Sequence, residues 1–266
     1  VAGQDAGGSG ASGAGGEAGE GGALLEDPSQ ALCPMPNPVA SGRPNPASYF
    51  TGTVGVVVDN VTGLQWQRVA STQVFASLAE ATAYCADLDV AGLSDWELPT
   101  AIELVSIVDH GKSAPSINTI AFPASLSALF WTSSPSIAQV STVWAVSFNL
   151  GDTTEIGDPT TLGTVYVRCV RRPTMSQIRR RFVPTEDTVT DAATGLVWER
   201  RLVDATYTLD DARTLCDDLS LGGSDEWRLP GATELRTLVD ESHWNASIDE
   251  AVLPGTASEA FWTYTS

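Results

Sequence analysis

The sequence is poor in basic residues. Lys and Arg together number 14 against 33 Asp and Glu, so the 266-residue chain has a formal net charge of -19 and a single lysine, Lys112. A surface with this excess of negative charge repels phosphate backbones. We therefore expect no nucleic acid among its partners.

Long apolar runs and catalytic motifs are also missing from the sequence. No apolar stretch approaches the roughly 20 residues that span a bilayer, so no membrane span is expected in this segment. The two histidines, His110 and His243, belong to no recognisable pattern with a serine or cysteine nucleophile. Gly-x-Ser-x-Gly, His-Glu-x-x-His, Ser-x-x-Lys and phosphate-binding glycine loops do not occur in a suitable context. The sequence thus predicts a protein that is not an enzyme and uses no cofactor.

The N-terminal segment has few of the apolar side chains that a folded segment needs. Ten glycines fall within residues 1–22, separated mainly by Ala, Ser, Asp and Glu. Such a stretch cannot bury enough apolar surface to offset the entropy that it would lose on ordering. Residues 1–30 are therefore predicted to form a disordered, acidic, glycine-rich tether.

An internal repeat organises the rest of the chain. The stretch V-D-N-V-T-G-L-Q-W-Q-R at residues 58–68 returns as T-D-A-A-T-G-L-V-W-E-R at residues 190–200. Further counterparts follow at constant spacing: Cys85 and Cys216, Trp96 and Trp227, Leu98-Pro99 and Leu229-Pro230, Glu103-Leu104 and Glu234-Leu235, and Phe130-Trp131-Thr132 and Phe261-Trp262-Thr263. The sequence therefore predicts two copies of one module.

The repeat sets the expected domain boundaries. The first module is predicted at residues 31–172, followed by a basic linker at 173–185 and the second module at 186–266. The first copy continues past its Phe-Trp-Thr motif through two further apolar stretches, whereas the second copy stops shortly after it. We expect the second module to be incomplete at its C-terminus and the chain to be part of a longer protein.

Each module is predicted to contain strands, then two helices, then further strands. Apolar and polar residues alternate before Trp66, around a turn at residues 59–63, which indicates two short strands. Capping boxes at residues 77–80 and 100–103 each begin a helix. Residues 130–170 have β-type patterns separated by turn residues. This order predicts a loop-rich α+β domain with grouped helices.

The four cysteines allow a disulfide within the first module. None of the pairs has the Cys-x-x-Cys spacing of a zinc or redox site. If the first helix, which carries Cys85, packs on the last strand, which carries Cys169, a bond between them closes a loop of about 84 residues and stabilises the module by roughly 4 to 5 kcal/mol. The alternative is four unpaired thiols in a reducing compartment. The partners of Cys33 and Cys216 are left open.

Tryptophan and arginine supply the candidate ligand contacts. Six tryptophans recur between the copies and are interpreted as core, namely Trp66, Trp96, Trp131, Trp198, Trp227 and Trp262. Trp144 lies outside these pairs and is the better candidate for ligand contact. Six arginines cluster at Arg168, Arg171, Arg172, Arg179, Arg180 and Arg181. They form either a site for a sulfated or carboxylated polyanion or a solvated linker between modules.

Two acidic clusters are a weaker candidate for calcium. They lie at residues 87–95 and 217–226, and carboxylate oxygens are the ligands that Ca²⁺ prefers. The EF-hand spacing is missing from both, so a solvated helix end and turn is the favoured interpretation. No metal site is therefore predicted.

Taken together, the motifs resemble a bacterial domain family, the one named after the C-terminal domain of the Legionella collagen-like adhesin. The motifs that carry the resemblance are Asp59-x-x-Thr62-Gly63-Leu64-x-Trp66, Cys85, Trp96-Glu97-Leu98-Pro99-Thr100, Glu103-Leu104, Phe130-Trp131-Thr132-Ser133-Ser134 and Val167-Arg168-Cys169-Val170. The similarity covers about residues 54–172 and then the second copy up to Ser266. Many members of the family have no assigned function.

The resemblance implies a structure and a setting. The implied fold is a C-type-lectin-like α+β module with two helices packed on a small antiparallel sheet, closed by a Cys85–Cys169 disulfide from first helix to last strand. The implied location is extracellular or on the cell surface, and the tether is similar to those of bacterial envelope lipoproteins. The family's namesake binds sulfated glycosaminoglycans, but a net charge of -19 argues against that ligand here.

These observations predict a non-enzymatic, exported surface protein with tandem modules for adhesion or ligand binding. The expected partner is a glycan, an extracellular matrix component or a surface protein, and the expected contact surface is formed by the loops between Thr132 and Tyr166. Two alternatives remain open at this point: an enzyme on the same fold, and a structural spacer of the envelope without a ligand.

Overall fold

The computed structural model describes residues 3–5, 35–43, 45–136, 141–157, 164–172, 181–202, 205–240 and 247–264. In the N-terminal part and first module the elements are β1 (Gly3–Asp5), β2 (Tyr49–Phe50), β3 (Val56–Asp59), β4 (Gln65–Gln67), α1 (Leu78–Ala86), α2 (Ala101–Val105), β5 (Leu129–Pro135), β6 (Val143–Ser147), β7 (Thr153–Ile156), β8 (Val165–Tyr166) and β9 (Val170–Arg171). In the second module they are β10 (Phe182–Pro184), β11 (Thr188–Asp191), β12 (Leu196–Glu199), α3 (Leu209–Asp217) and α4 (Ala232–Arg236).

The strands form three four-stranded sheets, with the orders β2-β3-β4-β9, β7-β6-β5-β8 and β1-β12-β11-β10. The expectation of a C-type-lectin-like α+β fold, with two helices packed on one small antiparallel sheet, is therefore wrong. The described chain is mostly β, and its helices are only five or nine residues long. The stretch at residues 129–166 builds a sheet of its own, including the parallel pair β5 and β8, instead of completing the first sheet.

Local hydrogen bonds explain why α2 is so short. It begins at Thr100, whose side chain accepts from the amide of Glu103 while the Glu103 carboxylate accepts from the Thr100 amide. One turn later the Ser106 hydroxyl donates to the Glu103 carbonyl at 2.6 Å. Such bonds from serine to backbone compete with helix propagation. The segment therefore turns into a loop instead of forming a longer helix.

Both modules share the same β-hairpin. In the first, Val57 pairs with Trp66, and in the second, Val189 pairs with Trp198. The turn of each hairpin ends at a glycine, Gly63 in the first module and Gly195 in the second. Their φ angles are 74° and 73°, and residues with a Cβ rarely adopt such positive values. The repeat seen in the sequence is thus a structural repeat.

The first module has two apolar cores. One surrounds Trp66, Phe122, Phe130 and Phe148, and the other surrounds Trp96 with the disulfide. Cys85 of α1 and Cys169, directly before β9, are bonded with their Cα atoms 5.5 Å apart. The predicted disulfide from the first helix to the end of the module is confirmed.

Two segments at the predicted domain borders take part in sheets. Gly3–Asp5, inside the predicted tether, pairs with β12, and residues 6–34 lie outside the described part of the chain, Cys33 included. Residues 173–180 of the predicted linker also lie outside it, while residues 182–184 form β10.

Candidate functional site

The structure places Arg168 inside the first module. Its side chain is fully buried, with the guanidinium donating to the carbonyls of Gln67 and Arg68 at 2.7 and 2.9 Å and to the Ser125 hydroxyl at 2.8 Å. The guanidinium also lies 4.8 Å from the ring centre of Phe122. Burial lowers the pKa of Arg168 to about 9, so the group is still protonated at neutral pH. Because no part of it reaches solvent, it does not contribute to a contact surface in this structure.

Arg171 and Arg172 lie at the surface but are already engaged by acidic side chains. Arg171 donates to Asp95 and, at 3.0 Å, to Gln65. Arg172 donates to both carboxylate oxygens of Glu103 at 2.6 Å and also contacts Glu97. These bonds draw the end of the module onto the start of α2.

The other predicted arginines divide between the core and the undescribed linker. Arg181 is 2% exposed and forms an ion pair with Asp191, with Nη2 of the arginine 3.0 Å from Oδ2 and 2.7 Å from the Thr237 carbonyl. Arg179 and Arg180 lie outside the described residues. The arginines that the structure describes therefore do not come together as one solvent-facing patch.

Trp144 lies on β6 with its side chain partly exposed. It pairs with Glu155 of β7, and its carbonyl accepts from the Thr132 hydroxyl at 2.5 Å. Its neighbours Val143 and Ala145 are buried, which is the alternation of a strand with one face on the core. Trp144 thus lies on an inner strand of its sheet, within the predicted contact region between Thr132 and Tyr166. Two parts of those loops, residues 137–140 and 158–163, lie outside the described residues.

A lead-in segment, residues 35–43, connects the two modules. Met35 is buried in the core around Trp66, while Asn37 donates to the buried carboxylate of Glu234 at 3.0 Å. The Thr233 hydroxyl donates to the carbonyl of residue 36 at 3.1 Å. Farther along, the guanidinium of Arg43 lies 4.0 Å from the ring centre of Tyr264.

Glu234 occupies the place in the second module that Glu103 occupies in the first. One oxygen of each carboxylate accepts the amide at the start of the helix, from Gly231 or Thr100. The other oxygen accepts a hydrogen bond from Arg172 in the first module and from Asn37 in the second. Burial raises the pKa of Glu234, but bonds from Arg228, Gly231 and Asn37 outweigh it and lower the pKa overall.

The sequence did not identify this anchoring role of the two glutamates. The only available signal was that both recur three residues after the start of a helix, which is explained by capping alone.

An intermodule cleft of about 640 Å³ lies between the two modules. From the first module it is lined by Val105, His110 and residues 151–153. From the second it is lined mainly by apolar side chains of α4 and the segments that follow, including Leu235, Leu238, Val239, Ile248 and Phe261. Residues 151 and 152 belong to the turn between β6 and β7, and Thr153 begins β7, so the cleft adjoins the predicted contact loops.

The described part of the chain has no cluster of metal-ligating side chains and no membrane-spanning helix. It contains no group of three or more His, Cys, Asp or Glu residues arranged to hold a metal ion. None of its helices is long and apolar enough to cross a bilayer.

Comparisons with known proteins identify the family. No curated protein matches the chain significantly. The family described as the Lcl C-terminal domain matches residues 55–171 and, over a shorter length, residues 187–266. These segments correspond to the two structural repeats. The chain therefore belongs to the Lcl C-terminal domain family and contains two tandem copies of the domain, the second shorter than the first.

Proposed function

We propose that the chain is a non-enzymatic, exported surface protein that mediates adhesion or ligand binding through its first module. The observation that carries this proposal is its membership in a domain family that takes its name from an adhesin. The Cys85–Cys169 disulfide supports it, because such bonds persist in oxidising compartments outside the cytosol. An envelope lipoprotein is the setting that we propose.

The proposed contact face is centred on Trp144. A partly exposed tryptophan offers apolar surface with a polar N–H, a combination that favours stacking on sugars and contact with proteins. Glu155 pairs with Trp144 across the strands, and the turn that follows β6 exposes 66% of Leu150. The face therefore combines aromatic, aliphatic and acidic groups on a rigid sheet.

The charge of the protein narrows the class of partner. With a net charge of -19, the chain repels sulfated polysaccharides, and the described arginines near the end of the first module are engaged by neighbouring groups. We propose an uncharged glycan, a matrix component or a surface protein as the partner.

Binding to arrays of glycans, matrix components and surface proteins tests this function. The substitution Trp144→Ala is expected to abolish binding, whereas Phe50→Ala, which removes an aromatic ring that is 54% exposed on another part of the module, is expected to leave binding unchanged. A circular dichroism melt of each variant shows that the fold is retained. Unchanged binding by Trp144→Ala overturns the proposed face, and failure of the wild type to bind any probe favours the envelope spacer.

A further inference from the structure

In the second module, the buried guanidinium of Arg181 is held by three kinds of group. Its Nε donates to Oδ1 of Asp191 at 3.1 Å, and its Nη2 donates to Oδ2 of the same carboxylate at 3.0 Å. Nη2 also donates to the carbonyl of Thr237 at 2.7 Å, and the guanidinium lies 4.7 Å from the ring centre of Phe182. A carboxylate, a carbonyl and an aromatic ring together offset the cost of removing this cation from water.

The first module repeats the carboxylate and the carbonyl. Asp59 is fully buried like Asp191, and Oδ1 of each accepts the amide two residues further along. Ser106 matches Thr237, because the hydroxyl of each donates to the carbonyl three residues before it, at 2.6 and 2.7 Å. Ser106 is 2% exposed, and its carbonyl accepts none of the hydrogen bonds that the described residues form. Two buried acceptors therefore occupy the positions that hold the guanidinium in the other copy.

The aromatic ring is repeated as well, but the cation is not. Tyr49 pairs with the aspartate of its module across β2 and β3, as Phe182 does across β10 and β11. The residue before this ring is Ser48 in the first module and Arg181 in the second, and the carbonyl of each accepts the amide that follows the aspartate, at 2.9 and 2.7 Å. Ser48 is exposed, and its hydroxyl accepts from an asparagine side chain at 2.9 Å. One change at an equivalent backbone position thus removes the positive charge and keeps the groups around it.

The electrostatic environment of this position in the first module is negative. Oδ2 of Asp59 is buried and has no hydrogen-bond partner among the described residues. Burial, followed by the carboxylates of Asp59 and Asp109, raises the pKa of Tyr49. The nearby Asp109 is paired with Lys112 at 3.1 Å, where the lysine side chain is 47% exposed. A buried carboxylate without a positive partner costs free energy, and a cation beside Asp59 offsets that cost.

We propose that the first module binds a small monovalent cation, of the size of ammonium or potassium, at the position that the Arg181 guanidinium takes in the second module. Oδ2 of Asp59 and the carbonyl of Ser106 are its protein ligands, and the ring of Tyr49 flanks it. One positive charge balances the single carboxylate, whereas calcium sites draw on several carboxylates. None of these residues belongs to the Trp144 face, so the inference is independent of the proposed function.

Melting of the wild-type chain in two chlorides tests the proposal. At about 0.15 M, potassium chloride and N-methylglucamine chloride screen charge over the same length of about 8 Å, but only potassium is small enough for a buried site. The melting temperature of the full chain, followed by circular dichroism, is expected to be a few degrees higher in potassium chloride, because an ion that binds only the folded state stabilises it. Equal melting temperatures in the two salts overturn the proposal.

Two substitutions locate the ion. Asp59→Asn removes the charged ligand, and Ser48→Arg supplies a guanidinium at the position of Arg181. Both variants are expected to lose the difference in melting temperature between the two salts. Asp87→Asn, which changes an exposed aspartate of the same module, is the matched control and is expected to keep the difference. A difference that persists in Asp59→Asn or in Ser48→Arg, or that disappears in Asp87→Asn, overturns the proposal.

Discussion

At the scale of single residues, one repeated aspartate has different partners in the two modules. Asp59 accepts the amide of Val61 through Oδ1 at 2.9 Å, while its buried Oδ2 has no hydrogen-bond partner in the described part of the chain. Burial raises the pKa of Asp59. In the second module the counterpart Asp191 is paired with the buried Arg181. At neutral pH the carboxylate of Asp59 therefore lowers the stability of the fold, whereas that of Asp191 raises it.

Replacing each aspartate with asparagine tests this difference. A folded-state pKa above the unfolded value means that the fold favours the protonated form of Asp59, so its ionisation costs stability as pH rises. We expect Asp59→Asn to gain stability relative to the wild type between pH 3 and pH 7. Asp191→Asn leaves Arg181 without its charge partner and is expected to cost about 3 to 5 kcal/mol at pH 7. Urea unfolding between pH 3 and pH 7 measures the unfolding free energy of both variants. Equal losses of unfolding free energy at pH 7 contradict the proposed difference between the two aspartates.

At the scale of elements, the disulfide ties α1 to the segment before β9. The two cysteines are 84 residues apart in sequence, and closing such a loop is expected to stabilise the module by about 4 to 5 kcal/mol. Cys85→Ala with Cys169→Ala is expected to lower the unfolding free energy by this amount in urea titrations. Cys216→Ala is the matched control, because the buried Cys216 has no disulfide partner among the residues that the structure describes. If the control loses as much stability as the double variant, packing and not the cross-link explains the effect.

The lead-in segment is the second element whose role can be measured. Asn37→Ala removes a bond to the buried Glu234 and is expected to destabilise the contact between modules by about 1 to 2 kcal/mol. In calorimetry this weakening is expected to separate the melting of the two modules. Asn60→Ala removes an exposed bond to Ser48 and is expected to leave the melting profile unchanged. Identical profiles for both variants indicate that residues 35–43 do not couple the modules.

At the scale of the whole molecule, the net charge governs the response to salt. A charge of -19 means that the folded chain repels itself, and added salt screens this repulsion. We expect the melting temperature to rise by several degrees between low salt and about 0.15 M NaCl, where the screening length is about 8 Å. Sucrose, which raises osmolality without screening charge, is the comparison. A fall in melting temperature with salt shows that ion pairs such as Arg172 with Glu103 outweigh the self-repulsion.

The sequence predicted local and repeated features correctly. The helix starts at Ser77 and Thr100 follow from side chains within four residues of one another, and the tandem repeat follows from direct comparison of the two copies. The Cys85–Cys169 disulfide was also predicted, on the condition that the first helix packs on the last strand and because the family resemblance implies it. The sheet arrangement was wrong, because strand pairing over residues 129–171 depends on contacts that periodicity does not specify.

The sequence by itself determined that this acidic chain contains two related modules with strand and helix signals in the same order. Only the tertiary structure decided that these strands form three sheets and that Arg168 and Arg181 are buried instead of exposed. It also decided that the apolar side chains of the second module, buried in the first, line a cleft. The physical reason is that burial depends on which distant segments pack together, and the pattern of residues along the chain does not specify this.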